Sequence, residues 1–284
     1  LKTYFINLDR DVERRAHMER QFFQIGLEVD RFAATAIEDL PAGTLERFAD
    51  PRRPDWQSPA EIACTFSHTQ AMRDFLASTA EHALIFEDDV IVSPRLVDFL
   101  AAFADDPPDW DLTRLETFST PVVLWPAVTR RLAGIELFRP SGYVAGSAGY
   151  IISRRGAELF LADPVILSRI IDWSMNHPFD PVGRRLSIRH AVPALCVQLQ
   201  NAGRAEAGAL SNLSPGRAYR AEVERSYGLR RLPYRLHQSA FDYLWIRPRN
   251  LLHRILGARK RMVPFLGPED ALTTLQKTAV PVDI

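Results

Sequence analysis

Apolar and polar positions fall into short blocks along the chain, and the blocks read alternately as strands and helices. Residues 2–8 are a run of apolar and aromatic side chains suited to a strand, and residues 12–25 have the spacing of a helix, capped by Asp9 or Asp11 and ended by Gly26. Residues 27–34 read as a second strand, and residues 36–56, rich in Pro, Asp and Arg, as a loop. Ser58-Pro59-Ala60-Glu61 is a helix start: Ser58 is the cap, Pro59 takes the first helical position and Glu61 completes a capping box. That helix continues through Phe75, which puts Glu61, Cys64, Thr65, His68 and Met72 on one face.

Residues 83–92 form an apolar strand interrupted by Glu87, Asp88 and Asp89. A helix over 94–103 and short strands over 110–115 and 122–125 follow. Residues 143–153 are small and apolar, with Gly142 just before them and Gly146 and Gly149 inside; glycine in a strand marks close approach by a ligand or another backbone. Residues 155–162 and 165–176 read as helices split by Asp163-Pro164, and residues 192–199, holding Pro193 and Gln198, as a last strand. Strands alternating with helices predict an α/β class with a mainly parallel central sheet.

The 284 residues suit one large domain, or one domain with an appendage, and 46% hydrophobic content is ordinary for a globular protein. No apolar run approaches the roughly 18 residues of a membrane span. The first residues lack the charged start and apolar middle of a secretory signal, and an initial Leu in place of Met suggests a trimmed start. Cys64 and Cys196 both lie in apolar segments, which predicts buried thiols in a reducing compartment; without a Cys-x-x-Cys there is no zinc signal. Net charge is zero but uneven: residues 217–261 hold twelve Arg and Lys against three acids. This divides the chain into a main domain over 1–212, a basic helical appendage over 213–262 and a tail over 263–284, and it suggests an anionic partner for the appendage.

Three adjacent carboxylates repel one another, so Glu87, Asp88 and Asp89 at a strand end suit a hard divalent cation that clamps nucleotide phosphates. The plainer alternative is that they cap a turn or sit in solvent. The usual phosphate cradles are absent: there is no G-x-x-x-x-G-K-[ST], and Gly142, Gly146 and Gly149 do not fit G-x-G-x-x-G. A nucleotide would therefore be gripped by metal and side chains. Arg10, Arg14 and Arg15 follow the first strand, where open α/β sheets bind ligands, and guanidinium suits phosphate; each could equally be a solvated helix charge. Asn7, at the end of that strand, is the better candidate for contacting base or ribose.

Several of these segments resemble glycosyltransferase family 25. The resemblance lies in Asn7-Leu8-Asp9-Arg10 with Glu13-Arg14-Arg15, in Glu61-Ile62-Ala63-Cys64-Thr65-Phe66-Ser67-His68, and in Leu84-Ile85-Phe86-Glu87-Asp88-Asp89. Trp110-Asp111 with Leu115, residues 146–153, Asp172, Pro193 and Gln198 follow in the family's order, so that the resemblance covers roughly residues 2–200. Ala63 stands where a glycine is usual, and Gly149 where an alanine is common. The family includes lipopolysaccharide and lipooligosaccharide β-galactosyltransferases and relatives acting on collagen hydroxylysine.

The resemblance implies a GT-A-like fold, an inverting mechanism, and transfer of a hexose, with galactose favoured, from a UDP-sugar to a saccharide or glycolipid acceptor in bacterial surface glycan synthesis. It implies Mn²⁺ (or Mg²⁺) held by Asp89, with Glu87 or Asp88 assisting and one of the earlier acids free to bind ribose. Asp172 matches a family aspartate and is the expected catalytic base, its plain alternative being a helix-surface acid; Glu116 is the second candidate. His68 is a candidate for the donor diphosphate or a structural histidine, and Gln198 a neighbour of the site or a buried amide. The aromatic and aliphatic side chains between the arginines of 241–256 suit an anionic membrane or lipopolysaccharide phosphate, or simply packing on the domain; no nucleic-acid motif accompanies them. A cytoplasmic location, peripheral at the inner face of the membrane, follows from these expectations. A catalytically silent sugar-nucleotide or glycan binder on the same fold is the alternative, and a metal-dependent phosphotransfer enzyme is a third reading.

Overall fold

The computed structural model of the chain describes residues 1–52, 56–202, 219, 221–223, 225–226, 236 and 240–267. β1 (Lys2–Asn7) leads through Asp11 into α1 (Val12–Ile25), which Gly26 ends in the left-handed conformation that glycine adopts without strain. β2 (Asp30–Ala33) follows, and the expected loop contains a short helix, α2 (Thr44–Phe48). α3 (Pro59–Ala77) begins with the capping box read from sequence: the Glu61 N–H donates to Ser58 Oγ, and the Ser58 N–H donates to Glu61 Oε2 at 2.8 Å.

The acidic strand divides in two. β3 (His82–Glu87) ends at the first acid, and β4 (Val90–Val92) resumes in a different sheet. After α4 (Leu96–Asp105) come β5 (Leu112–Arg114), β6 (Glu116–Thr117), β7 (Val122–Leu132) and β8 (Ile135–Pro140). The second half holds β9 (Gly149–Ser153), α5 (Arg154–Leu161), α6 (Ile171–Asn176), β10 (Ile188–Val192), β11 (Cys196–Gln198), α7 (Arg247–Ile255) and β12 (Arg259–Arg261).

Among the described residues, nine strands form one sheet in the order β12-β7-β8-β10-β5-β9-β3-β1-β2, and β4-β11-β6 form a second. The α/β class stands, with a mixed sheet: β2-β1-β3 and β5-β10 pair in parallel, while β9 runs antiparallel between β3 and β5. Side chains alternate across β3 as the strand period requires. Leu84 and Phe86 pack with Met18, Phe22 and Phe99 on one face, and Ala83 and Ile85 with Met72, Phe75 and Phe160 on the other. These two apolar layers hold the end of β3 in a fixed place.

Three local expectations change. β8 is a strand beyond those expected; its signal is the two-residue turn at Ala133 and Gly134, both at positive φ, which closes a hairpin with β7. The helix expected over 165–176 is a 3-10 turn at Ile166–Ser168 and then α6, with Arg169 between them paired to Asp163 and Asp180. The strand expected over 192–199 is split between β10 and β11, which belong to different sheets.

Of the appendage and tail, residues 213–218, 220, 224, 227–235, 237–239 and 268–284 lie outside the described residues. The described part runs past the boundary expected at 262. β12 pairs with β7, Ala194 bridges Phe265, and Ala258, Val263 and Leu266 are buried, so apolar contacts tie residues 258–266 into the domain. Among the described residues no helix is long and apolar enough to cross a membrane.

Candidate active site

The acids sit where the chain leaves the main sheet. β3 stops at Glu87, whose N–H donates to the Ala148 carbonyl, and the Asp89 carbonyl accepts from the Leu199 N–H as the chain enters the small sheet. Val90 lies opposite Gln198 in that sheet, which brings the Gln198 amide to the acids. Its Nε2 is 3.3 Å from both Glu87 Oε2 and Asp89 Oδ1. Glu87 Oε1 accepts from Ser147 Oγ at 2.7 Å and lies 3.5 Å from His68 Nε2, while His68 Nδ1 is 2.8 Å from the Tyr150 hydroxyl.

Asp88 is turned the other way. It accepts from Asn7 Nδ2 and from Arg14, both at 2.7 Å, and Arg31 in turn holds the Asn7 Oδ1 and pairs with Asp9. Burial still raises the Asp88 carboxyl against the pull of Arg14 and Asn7. Burial, followed by the charge of Glu87, pushes the Asp89 carboxyl up to about 7, although Arg14 lies 3.8 Å away. The excess negative charge at this turn is therefore only partly offset by the chain itself.

Two clefts meet at Glu87 and Cys64. The first, of about 760 Å³ including its mouth, lies over the ends of β1 and β3 and is lined by Leu8, Arg10, Arg14, Thr35, His68 and the three acids. This is the carboxyl end of parallel strands, where open α/β sheets receive ligands. The second cleft is lined by Glu61, Ser147, Asp172 and Gln198 among others. Asp172 Oδ2 accepts from the Tyr143 hydroxyl at 2.9 Å and from the Gly146 N–H at 3.0 Å, while Oδ1 is buried and has no hydrogen-bond partner. Gly146 has φ +98°, and a Cβ there would collide with Glu116 and Phe118, so the turn that orients Asp172 requires glycine.

Two donor sets could hold a metal. Glu87 and Asp89 present oxygens that converge on the Gln198 amide, a hard set suited to Mn²⁺ or Mg²⁺, and the raised Asp89 carboxyl fits a place where a cation would be favourable. Cys64, His68 and Glu87 have ligand atoms within 4.8 Å of one another, a softer set. Burial raises the Cys64 thiol well above its ordinary value, which favours the oxygen set.

The structure thus brings Asn7, Arg14, His68, Glu87, Asp88, Asp89 and Gln198 together, with Asp172 in the adjoining cleft. Arg10 reaches the first cleft's mouth, 3.7 Å from Glu38. Arg15 is not brought to the site: it pairs with Glu19 one turn along the exposed side of α1. Glu116 is enclosed beside Arg114 and accepts from the Ala148 N–H; burial pushes it up to about 8, so at neutral pH it holds its proton. The sequence alone does not single out Ser147, Tyr143, Tyr150 or Arg31. The first follows Gly146 inside the small apolar stretch, which is the one local hint; the others reach the site only through sheet pairing and packing. Both cysteines are free thiols.

A family profile described as "Glycosyltransferase family 25 (LPS biosynthesis protein)" matches residues 1–165, more than half of the chain. A "Glycosyltransferase 25 family member" of Aedes aegypti is 29% identical over 171 residues, 56% of this chain but 28% of that protein. The lacto-N-neotetraose biosynthesis glycosyltransferases LgtE of Neisseria meningitidis serogroup B and LgtB of serogroup A are 28% and 30% identical over 209 residues, 70% of this chain and 74% of each relative. The chain therefore spans about a quarter of the insect relative and about three quarters of the bacterial ones.

Proposed function

The chain belongs to glycosyltransferase family 25, and on that premise we propose that it moves a hexose, with galactose favoured, from a UDP-sugar to a saccharide acceptor of a bacterial surface glycan, with inversion. The observation that carries this reading is the junction at Glu87, where a cleft at the carboxyl end of parallel strands meets a second cleft lined by Asp172.

The donor lies in the first cleft, its nucleotide over the end of β1, where buried Asn7 holds Asp88, and its diphosphate toward Arg10 and His68. Glu87 and Asp89 would hold Mn²⁺ or Mg²⁺, which when bound offsets charge on the departing diphosphate. Asp172 takes the proton of the acceptor hydroxyl, and the hydroxyl oxygen bonds to the anomeric carbon from the face opposite the diphosphate as the carbon–oxygen bond to UDP breaks. The Tyr143 hydroxyl and the Gly146 N–H fix the Asp172 carboxylate for this role. Glu116 stays protonated beneath the site and serves structure.

The reading extends to where the reaction takes place. Tyr243, Leu244, Trp245, Leu251, Leu252 and Ile255 are exposed on the segment that ends in α7, with Arg247 and Arg254 among them. This pattern suits peripheral contact with an anionic bilayer at the inner face of the cytoplasmic membrane. Flotation with phosphatidylglycerol vesicles but not phosphatidylcholine vesicles is expected; equal recovery with both discards the attachment.

The activity is tested with the full chain, Mn²⁺ and a panel of UDP-sugars, scoring UDP release and melting temperature. One donor is expected to be turned over only with the cation, and Asp89→Ala to lose at least about 100-fold in rate with its fold intact. A melting shift with UDP but no turnover for any donor and acceptor would instead mark a silent binder.

A further inference from the structure

Five arginines surround one groove beside α6. Arg139 at the end of β8, Arg184 and Arg185 on the 3-10 turn Gly183–Arg185, Arg189 on β10 and Arg249 on α7 line it, and no carboxylate does. Among the described residues none of the five forms an ion pair, whereas Arg14, Arg155 and Arg169 each have an acid at hand. Burial and the nearby charge of Arg139 lower both Arg189 and Arg249. Like charges gathered on one wall cost stability until a counter-charge offsets them.

The arginine groove borders another. It shares Gly142 and Pro178 with a groove whose floor is aromatic. Trp173 and His177 stack at 3.7 Å and 11°, and Tyr143 meets Trp173 at 5.3 Å. Trp173 and Tyr143 are 37% and 40% exposed, so part of each ring can meet a ligand. The platform begins at the reacting carboxylate, because the Tyr143 hydroxyl donates to Asp172. Asn176, which lines the arginine groove, donates to the Asp172 carbonyl at 2.9 Å.

We propose that this track is the acceptor site and that the acceptor is a phosphorylated saccharide. A sugar ring lies on Trp173 and Tyr143 with the hydroxyl to be glycosylated at Asp172, and a phosphate substituent farther along is taken by Arg139, Arg184, Arg185 and Arg189. Apolar ring faces suit the stacking, and guanidinium forks suit phosphate oxygens. The proposal rests on the transferase reading of the adjoining clefts and names its second substrate class.

The test is calorimetric titration of the full chain with a lipopolysaccharide core oligosaccharide that keeps its phosphates, and with the same oligosaccharide after dephosphorylation. The phosphorylated form is expected to bind at least about tenfold more tightly. Arg139, Arg184 and Arg185 are exposed, so the triple variant Arg139→Ala/Arg184→Ala/Arg185→Ala keeps the fold and should bring that ratio to about one. Trp173→Ala should weaken both forms alike. Equal affinity of the two forms, no binding of either, or a ratio unchanged in the triple variant overturns the proposal. So does a triple variant that loses anionic-vesicle binding while keeping the oligosaccharide ratio. The melting shift with UDP is read in parallel: its absence in the unmodified chain counts against the donor cleft, and its persistence in the triple variant separates the two readings.

Discussion

Two charged regions of this protein are built on opposite plans. At the acidic turn the chain supplies much of its own counter-charge: Asp88 is held by Arg14 and Asn7, and Asn7 by Arg31, which also pairs with Asp9. Around the groove beside α6 five arginines gather and no acid lines the walls. The network closed around Asp88 fixes geometry before a ligand arrives, although Asp89 beside it is left short of counter-charge, and the open groove leaves all of its charge for the ligand to offset. The first plan suits atoms that must be placed for chemistry, and the second suits holding a substrate of opposite sign.

The contrast can be broken most directly by removing one arginine from each region. Arg14→Ala leaves Asp88 buried beside Asn7 alone, and a loss on the order of 3–5 kcal/mol in urea unfolding is expected. Arg184→Ala in the groove should move the same midpoint by no more than about 0.5 kcal/mol. Equal losses would mean that the two regions are not built differently.

A smaller, graded effect follows from Asp89. Its carboxyl is raised to about 7, so between about pH 4 and pH 7 the folded chain keeps a proton that the unfolded chain gives up. Stability from this group therefore falls as pH rises through that window. His177 and His190, lowered to about 4 and about 3 by burial, work in the opposite sense below about pH 6.5, since the unfolded chain binds their protons first. The Asp89→Asn variant isolates the carboxyl: without divalent cations, its advantage over the unmodified chain should grow from pH 4.5 to pH 7.5. A constant difference across that range removes the basis for calling the turn under-compensated.

Much of this was legible in the residues. The capping box at Ser58 and Glu61, the αL end at Gly26 and the bounds of α1 rest on local chemistry, and the structure contains all three. The acidic triplet was legible as a group, because three like charges in a row are conspicuous in any context. Its division of labour was not. Which acid faces Arg14 and which faces Gln198 depends on β3 ending at Glu87 and on β4 and β11 pairing in a second sheet, a long-range event with no local signature. Arg15 shows the same limit from the other side. One helical position separates it from Arg14, and that rotation of about 100° per residue sends it to Glu19 instead of Asp88. The arginine groove was invisible because its members come from β8, a 3-10 turn, β10 and α7.

β12 is only three residues long, yet Arg259, Lys260 and Arg261 cover part of the flank of β7 at the border of the main sheet. An open border of that kind is a template for another molecule's strand, and a basic fringe discourages such docking by repulsion. Just beyond it, Thr117 donates to the Val263 carbonyl at 2.6 Å and ties the fringe to the small sheet beside the acids. A chain cut short before residue 259 would lose both the fringe and the tie, and self-association would compete with folding.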